Sequence, residues 1–435
     1  MKIQKGFKFK LKPTEVQKQK LLQCGGNTRF LWNYFLKLNQ EYYKETGKFK
    51  FYYDMATVLP KLKEEYSFLK ETFSQSLQQT LKHLDKALRD KFKNKKGFPK
   101  FKKKVLFKDS FVCPQKWRLK KGYVFVPKIG EVSWIKHRNL QGKPKSITIS
   151  QNGDNWFCSV FCEYDIKDKN KLDKNIVGID VGLKDFAVLS DGTIIKNPRY
   201  LKKYENRLAK EQRKLSKKQK GSNNRLKQRL KVRKVYSRIK NLRNDFLHKT
   251  SNSIAKNYDG VVLEDLNISG MMKNHKLAKS ISDVSWFEFK RQLEYKCSWG
   301  FKHFIQVGRF EPTSKTCSIC GNVQEMPLSK RIFKCEKCGM VKDRDLNASE
   351  NINRLGQSRI NACGDDSLEL SMKQEKAGLE NQTEATRACP VECHGCKLYN
   401  TDNCLYKLEH LLILDTEPHT SHPNHKNTSN HLERI

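Results

Sequence analysis

The sequence predicts a multidomain α+β protein, and three observations carry that prediction. Residues 1–12 alternate apolar and basic side chains with the period of a strand, residues 14–104 change to helical spacing, and residues 105–165 return to short β-type runs. From residue 175 onward the order is β, β, β, helices, β, helix, β, which places a mixed central sheet in a second unit. Two matched cysteine pairs then interrupt that unit near its end. A chain of 435 residues has room for two to four such domains.

The formal net charge of +41 would repel itself in a compact fold unless a polyanion shares the space. Nucleic acid is the partner this implies, with an anionic membrane surface as the competing reading. No run of eighteen apolar residues exists, so no segment reads as a transmembrane helix. Residues 1–13 alternate lysine with apolar residues and lack the apolar stretch of a signal peptide. Fourteen cysteines could suggest disulfides, but the length and the missing signal point to a reducing compartment, cytoplasmic and nucleoid-associated, where spaced cysteines more often hold metal.

Taken in order, the strand at 1–12 is followed by Thr14-Glu15-Val16-Gln17, a capping-box pattern that opens a helix. Phe30, Leu31, Tyr34, Phe35 and Leu38, then Leu77, Leu81, Leu84 and Leu88, recur at helical spacing, so several helices joined by short breaks are expected. Residues 91–104 (KFKNKKGFPKFKKK) interleave phenylalanine with lysine. They read either as a solvated linker or as a surface where lysines meet phosphates and aromatics stack, and three phenylalanines favour the second. Trp117 and residues 123–126, 147–149 and 156–160 are β-type runs separated by turns at Gly122 and Asn152-Gly153-Asp154. With the first strand they suggest a small β-barrel (1–13 and 105–165) interrupted by a helical insert (14–104).

A polar hinge at 166–175 leads into residues 175–182 (NIVGIDVG), a buried strand bearing one carboxylate. Residues 186–195 form a hairpin about the Asp191-Gly192 turn. Residues 201–250 are dense in lysine and arginine with only three acids, and read as two basic helices broken around 221–224. A basic helical face is often merely solvated. Here the excess of one sign is too large for self-pairing, which favours a phosphate-contacting face. A strand at 260–264, a helix at 286–299 and a strand at 304–307 complete the unit, which spans 166–315 and resumes at 341–360.

Three acids stand out by context. Asp180 lies in an apolar strand, where an unpaired carboxylate is costly. Glu264 ends a second apolar strand, and Asp345 lies where a helix carrying Ala348, Ile352 and Leu355 starts. Hard cations such as Mg²⁺ (or Mn²⁺) prefer carboxylate oxygens, and two of them about 4 Å apart can clamp both oxygens of a phosphodiester displacement. Taken singly, each acid has an ordinary reading as a surface residue or helix cap. Asp343, two positions from Asp345, leaves that assignment open, whereas Asp185 and Asp265 read as turn or surface acids.

Cys317-x-x-Cys320 and Cys335-x-x-Cys338, separated by 14 residues and each followed by glycine (Gly321, Gly339), form a double knuckle. Four thiolates around one Zn²⁺ leave no open position, so the site is structural; this ribbon occupies 316–340. Residues 361–435 differ in kind, with 7 Lys+Arg against 12 Asp+Glu. They read as an acidic, disordered tail. Cys389, Cys393, Cys396 and Cys404 with His394 form a second cluster there, either another metal site or simply solvated.

At this point the residues resemble a known family. GIDVGLKDFAVLSDG (178–192), VVLEDLNISGMMKNHKLAKSISDVSW (261–286), TSKTCSICG (313–321) and FKCEKCGMVKDRDLNASENI (333–352) look like the TnpB (OrfB) family of insertion-sequence proteins. FKFKLKPT, NTRFLWNYFL and GFPKFKKK fit as well, so the resemblance spans about residues 1–375. It implies an RNase H-like (RuvC-type) nuclease core with an inserted zinc ribbon, a β-barrel wedge domain and a helical recognition lobe. It implies a catalytic triad at Asp180, Glu264 and Asp345. It further implies an endonuclease, similar to compact ancestors of type V CRISPR effectors, that uses a guide RNA from the transposon end to find double-stranded DNA beside a short flanking motif. Two rivals stay open: a catalytically silent RNA- and DNA-binding regulator of transposition, and a strand-transfer transposase using the same acids. A tyrosine transposase needs a tyrosine beside a histidine cluster, which the core lacks.

Overall fold

A computed structural model describes residues 2–94, 96–105, 108–166, 175–327 and 329–363. Most of the hinge at 166–175, and the tail with Cys389, Cys393, His394, Cys396 and Cys404, lie outside these residues.

The alternation at the N-terminus is realised as β1 (Lys2–Lys12), where Ile3, Phe7, Phe9 and Leu11 are buried while Lys2, Lys8, Lys10 and Lys12 face solvent. Six further strands join it: β2 (Ser110–Cys113), β3 (Arg118–Lys120), β4 (Tyr123–Val126), β5 (Gly130–Ile135), β6 (Lys143–Asn152) and β7 (Asn155–Asp165). β1 runs antiparallel to β7 from Lys2 opposite Asp165 to Leu11 opposite Trp156, so residues 1–12 belong to the same sheet as residues 110–165. The strand order is β2-β6-β7-β1-β5-β4-β3. Where the sequence suggested a barrel, no ladder joins β2 to β3 among the described residues. Curling still brings Phe111 of β2 and Val124 of β4 into one core with Phe9 and Trp156. Trp117 stands just before β3, where its indole N–H donates to Pro114 O at 3.3 Å. β2 and β5 are strands the sequence reading passed over, being short and carrying only two or three core residues each.

The insert consists of α1 (Glu15–Thr46), α2 (Tyr52–Glu65), a 3-10 turn (Ser67–Glu71) and α3 (Ser74–Lys93). Thr14 caps α1 reciprocally: Gln17 N donates to Thr14 Oγ1 at 3.3 Å and Thr14 N to Gln17 Oε1 at 3.0 Å. Leu31, Phe35, Met55, Leu59, Leu77, Leu81, Leu84 and Leu88 close its core. The Phe/Lys patch is partly consumed internally, since Phe98 packs on this core and the Lys91 ammonium faces the rings of Tyr43, Phe49, Phe92 and Phe98.

The central sheet comprises β8 (Ile176–Val181), β9 (Asp185–Leu189), β10 (Ile194–Lys196), β11 (Gly260–Glu264) and β12 (His303–Val307), in the order β10-β9-β8-β11-β12. β8, β11 and β12 are parallel, and the β9–β10 hairpin adds an antiparallel edge. Between them run α4 (Tyr200–Ser216), α5 (Asn223–Asn257), the short α6 (Ile268–Met271), α7 (His275–Val284) and α8 (Trp286–Trp299). The last elements among the described residues are β13 (Ile332–Lys334), β14 (Val341–Asp343) and α9 (Arg344–Cys363).

Each face of this sheet has its own cover. Val177, Ile179, Val261 and Leu263 pack with Leu247 and Ile254 of α5, Ile281 of α7, and Phe289 and Leu293 of α8. Val262 and Val307 pack with Ile352 and Leu355 of α9 on the opposite face. α9 lies so close that a Cβ on Gly178 would meet Ser349 O at 2.2 Å, and one on Gly356 would meet Val262 Cγ2 at 2.2 Å. α4 and α5 form a hairpin around Leu208, Leu215, Val232 and Ile239. One of their cations is internal: Arg243, nearly buried, pairs with Asp283 of α7 at 2.9 Å. No helix among the described residues is long and apolar enough to cross a membrane.

Candidate active site

Strand register brings the first two acids together. β8 and β11 are parallel with Ile179 beside Leu263, so Asp180 and Glu264, one residue on, sit side by side on neighbouring strands. Adjacent strands lie about 4.8 Å apart. Side chains alternate between faces, so Asp180 shares the face of Gly178 and Glu264 that of Val262, both against α9. Asp345, in the first turn of α9, approaches the same end of the sheet.

The electrostatics report this convergence. Burial pushes the Asp180 carboxyl well above the usual aspartate range, and the negative charges of Glu264 and Asp345 push it further, with Arg344 opposing. Burial likewise raises Glu264, against a hydrogen bond donated by the Thr313 hydroxyl to its Oε1. Asp345 is held by Arg344 Nη2 at 3.0 Å and Arg331 Nη1 at 3.3 Å. The two neighbouring acids at this helix start are bonded differently. Asp343 Oδ1 accepts the backbone N–H groups of Asp345 and Leu346, a helix-cap arrangement, while Asp345 carries its charge toward Asp180. Asp185 pairs with Lys196 at 2.9 Å and Asp265 with Arg309 at 2.6 Å, so each has a cation of its own.

A buried carboxyl whose pKa two neighbouring acids raise marks concentrated negative charge that Arg344 only partly opposes, and carboxylate oxygens are hard donors, so the chemistry of the set suits a hard divalent cation.

The four cysteines are gathered differently. Among the described residues their Sγ atoms form a group lying within 4.8 Å of one another. Cys317 and Cys338 Sγ are 3.7 Å apart, and Cys320 and Cys335 Sγ 3.6 Å. Thiolates bound tetrahedrally at about 2.3 Å stand roughly 3.8 Å apart, so the set fits Zn²⁺. The knuckles repeat one another: Gly321 N donates to Cys317 O and Gly339 N to Cys335 O, both at 3.0 Å, with the two glycines at φ 72° and 73°. The Cys338 backbone N–H lies 3.5 Å from Cys335 Sγ and pulls that thiol down, whereas the Cys338 thiol, despite the Met340 backbone N–H, is pushed up by burial and by the Cys335, Cys320 and Cys317 thiols.

Several residues tie the cysteine cluster to the acids, and sequence reasoning assigned none of them a role. Asn347 Oδ1 accepts from Ser318 N at 2.9 Å and its Nδ2 donates to Thr316 O at 2.7 Å. Asn351 Nδ2 donates to Thr313 O at 2.9 Å. Both asparagines are buried on α9, at four-residue spacing, which marks one helical face. Two asparagines at four-residue spacing, just after the second cysteine pair, were the available signal.

A family model described as "Probable transposase" matches residues 159–275, one described as "Cas12f1-like, TNB domain" matches 286–352, and one described as "Helix-turn-helix domain" matches 1–48. In this chain the last span is β1 followed by the single helix α1. A protein of Streptomyces pristinaespiralis named "Putative RNA-guided DNA endonuclease" is 35% identical over 373 residues, covering 83% of this chain and 92% of its own. "Putative RNA-guided DNA endonuclease InsQ" of Escherichia coli (strain K12) is 34% identical, covering 84% and 95%. The solved structure of a Cas12f1–sgRNA–target DNA complex aligns at TM-score 0.46 and 18% identity, over 78% of this chain and 81% of that one. The sheets, their helical covers and these sequence matches define a multidomain α+β protein of the TnpB class. The chain belongs to the TnpB (OrfB) family of insertion-sequence proteins.

Proposed function

We propose that this chain is an RNA-guided, divalent-metal-dependent DNA endonuclease whose mixed sheet and α9 form an RNase H-like (RuvC-type) nuclease core. The observation that carries the reading is the convergence of Asp180, Glu264 and Asp345 from β8, β11 and α9. The names of the relatives, RNA-guided DNA endonucleases covered over most of their length, support it.

Asp180, Glu264 and Asp345 would hold Mg²⁺ (or Mn²⁺), which when bound activates water and stabilises the charge that develops on the scissile phosphate. The residues themselves do the positioning. The Thr313 hydroxyl orients Glu264, and Asp343 holds the helix start that presents Asp345. Burial of Asp180 keeps bulk water from screening the charge it offers. Cys317, Cys320, Cys335 and Cys338 would hold a structural Zn²⁺ in a ribbon whose second hairpin, β13–β14, leads directly into α9. On this reading residues 1–13 and 105–165 are the wedge, 14–104 the recognition lobe, and 166–315 with 341–360 the nuclease core around the ribbon at 316–340. The exposed lysines and arginines of 201–250 hold nucleic-acid backbones, and base pairing with an RNA from the transposon end supplies sequence specificity.

The test is purification of the chain with transcripts of its own locus, followed by incubation with a DNA library randomised beside a guide-matched target. Mg²⁺-dependent breaks beside one short flank, absent from Glu264→Ala, are expected. Breaks that persist in Glu264→Ala sink the site assignment. Joined DNA products in place of simple breaks would favour a strand-transfer transposase, and the family model that matches residues 159–275 is described as a probable transposase. Bound RNA without breaks would favour a silent regulator.

A further inference from the structure

Phe310 is 94% exposed, the most exposed of the large apolar side chains among the described residues. A single exposed apolar residue needs no explanation by itself. What separates Phe310 is how firmly the chain around it is held, and where.

On one side Arg309 is pinned to Asp265, its Nη2 to Oδ2 at 2.6 Å and its Nε to the backbone O at 3.3 Å. On the other, Glu311 N donates to Gly308 O at 3.3 Å, and Thr313 N to Glu311 O at 2.8 Å. Arg359 of α9 reaches the same loop, with Nη2 3.9 Å from Glu311 Oε1 and Nη1 bonded to Gln306 O at 2.6 Å. A loop tied at both ends presents its ring at little further cost in conformational entropy when something binds it.

The position is equally specific. Thr313, three residues on, donates its hydroxyl to Glu264. Three residues span at most about 11 Å, so the ring stands within a few nucleotides of the acidic centre. Arg309 and Gln306 also line a cleft of about 320 Å³ whose wall includes Glu264 and Lys290. A flat apolar ring one residue from Arg309, on a loop that borders a cleft carrying Arg309 and Lys290, matches an unpaired nucleotide, whose base has a π-face and whose backbone is anionic.

We propose that Phe310 is a base-stacking residue, receiving an unpaired base next to the scissile phosphate of the strand entering the site. The proposal rests on the nuclease reading and specifies how the strand is seated. Because the face of a base is common to all four, the contact sets register without reading sequence.

The test uses the full chain with its co-purified RNA, carrying Glu264→Gln so that the strand stays whole. Target duplexes bear 2-aminopurine at successive positions around the cut. One position is expected to be quenched on binding, with the quench lost in Phe310→Ala, kept in Phe310→Trp, and duplex affinity down about tenfold in the alanine variant. In the Glu264 background, Phe310→Ala should slow cutting and Phe310→Trp restore it. A Phe310→Ala variant that quenches and cuts like its parent overturns the stacking contact and leaves the nuclease reading standing. Quenching that depends on Phe310 in a complex that never cuts supports the contact and counts against the nuclease reading.

Discussion

Asp343 Oδ1 accepts the backbone N–H of Asp345 at 2.9 Å, so one acid caps the helix whose first turn carries the other. The two are separable by experiment. Asp343→Ala should cost about 1 kcal/mol of stability, the usual effect of losing a cap. Asp345→Ala should leave the melting temperature nearly unchanged while slowing cutting by at least roughly a thousandfold, on the order of 4 kcal/mol. Paired thermal melts and cleavage rates check this; the opposite pattern would exchange their roles.

The raised pKa of Asp180 sets a pH dependence whose sign is fixed. Its charged form is disfavoured in the folded protein, first by burial and then by Glu264 and Asp345. Without metal, the folded state is therefore penalised as pH rises through that raised pKa, and the penalty vanishes below the unfolded value of about 3.9. Asp180→Asn should melt higher than the parent at pH 8 in chelator, with the gap closing as pH falls. Mg²⁺ should raise the melting temperature of the parent but not of the variant. A lower-melting Asp180→Asn at pH 8 would contradict the electrostatic account.

Protons and cations compete for the same oxygens. Mn²⁺ binding should weaken as pH falls, and at higher pH than for ordinary carboxylates, because Asp180 and Glu264 both hold protons more tightly. Titration by electron paramagnetic resonance at several pH values measures this directly.

The cysteine cluster is expected to hold one zinc per chain, readable by elemental analysis. Cys335→Ser should lower zinc content and also cutting, because Arg331 and the Thr313 and Thr316 carbonyls that brace α9 belong to the segment the metal organises. Full zinc occupancy in Cys335→Ser would remove that cysteine from the ligand set.

Close helix-on-sheet packing gives a stability prediction. Gly178→Ala drives a methyl into Ser349 O and Asn353 N, and Gly356→Ala drives one into Val262. Each should destabilise by about 1–3 kcal/mol. Gly6, with nothing within 4 Å of its added Cβ, should tolerate alanine, and denaturant melts of the three compare them.

Local periodicity determined much of what the sequence alone could say. The alternation of β1, the Thr14 cap, the Asp191-Gly192 hairpin and the α4–α5 break all depend on residues within a few positions of one another, and all are present in the structure. The knuckles were legible for the same reason, since a C-x-x-C-G turn is complete in itself. The short strands β2 and β5 were not, because their place in the ladder comes from β6 and β1, not from their own pattern.

What tertiary structure decided are contacts between distant positions. The Thr313 bond to Glu264 joins residues 49 positions apart, the Arg243–Asp283 pair joins residues 40 apart, and the fit of Gly178 under Ser349 depends on how α9 lies across β8. The same holds for lysine and arginine. Composition counts Lys91 and Arg243 with every other cation, yet one is spent on aromatic rings and the other on a nearly buried aspartate. A sequence carries the number of charges and the period of its apolar residues, whereas which charges meet depends on the chain returning to itself through the sheet.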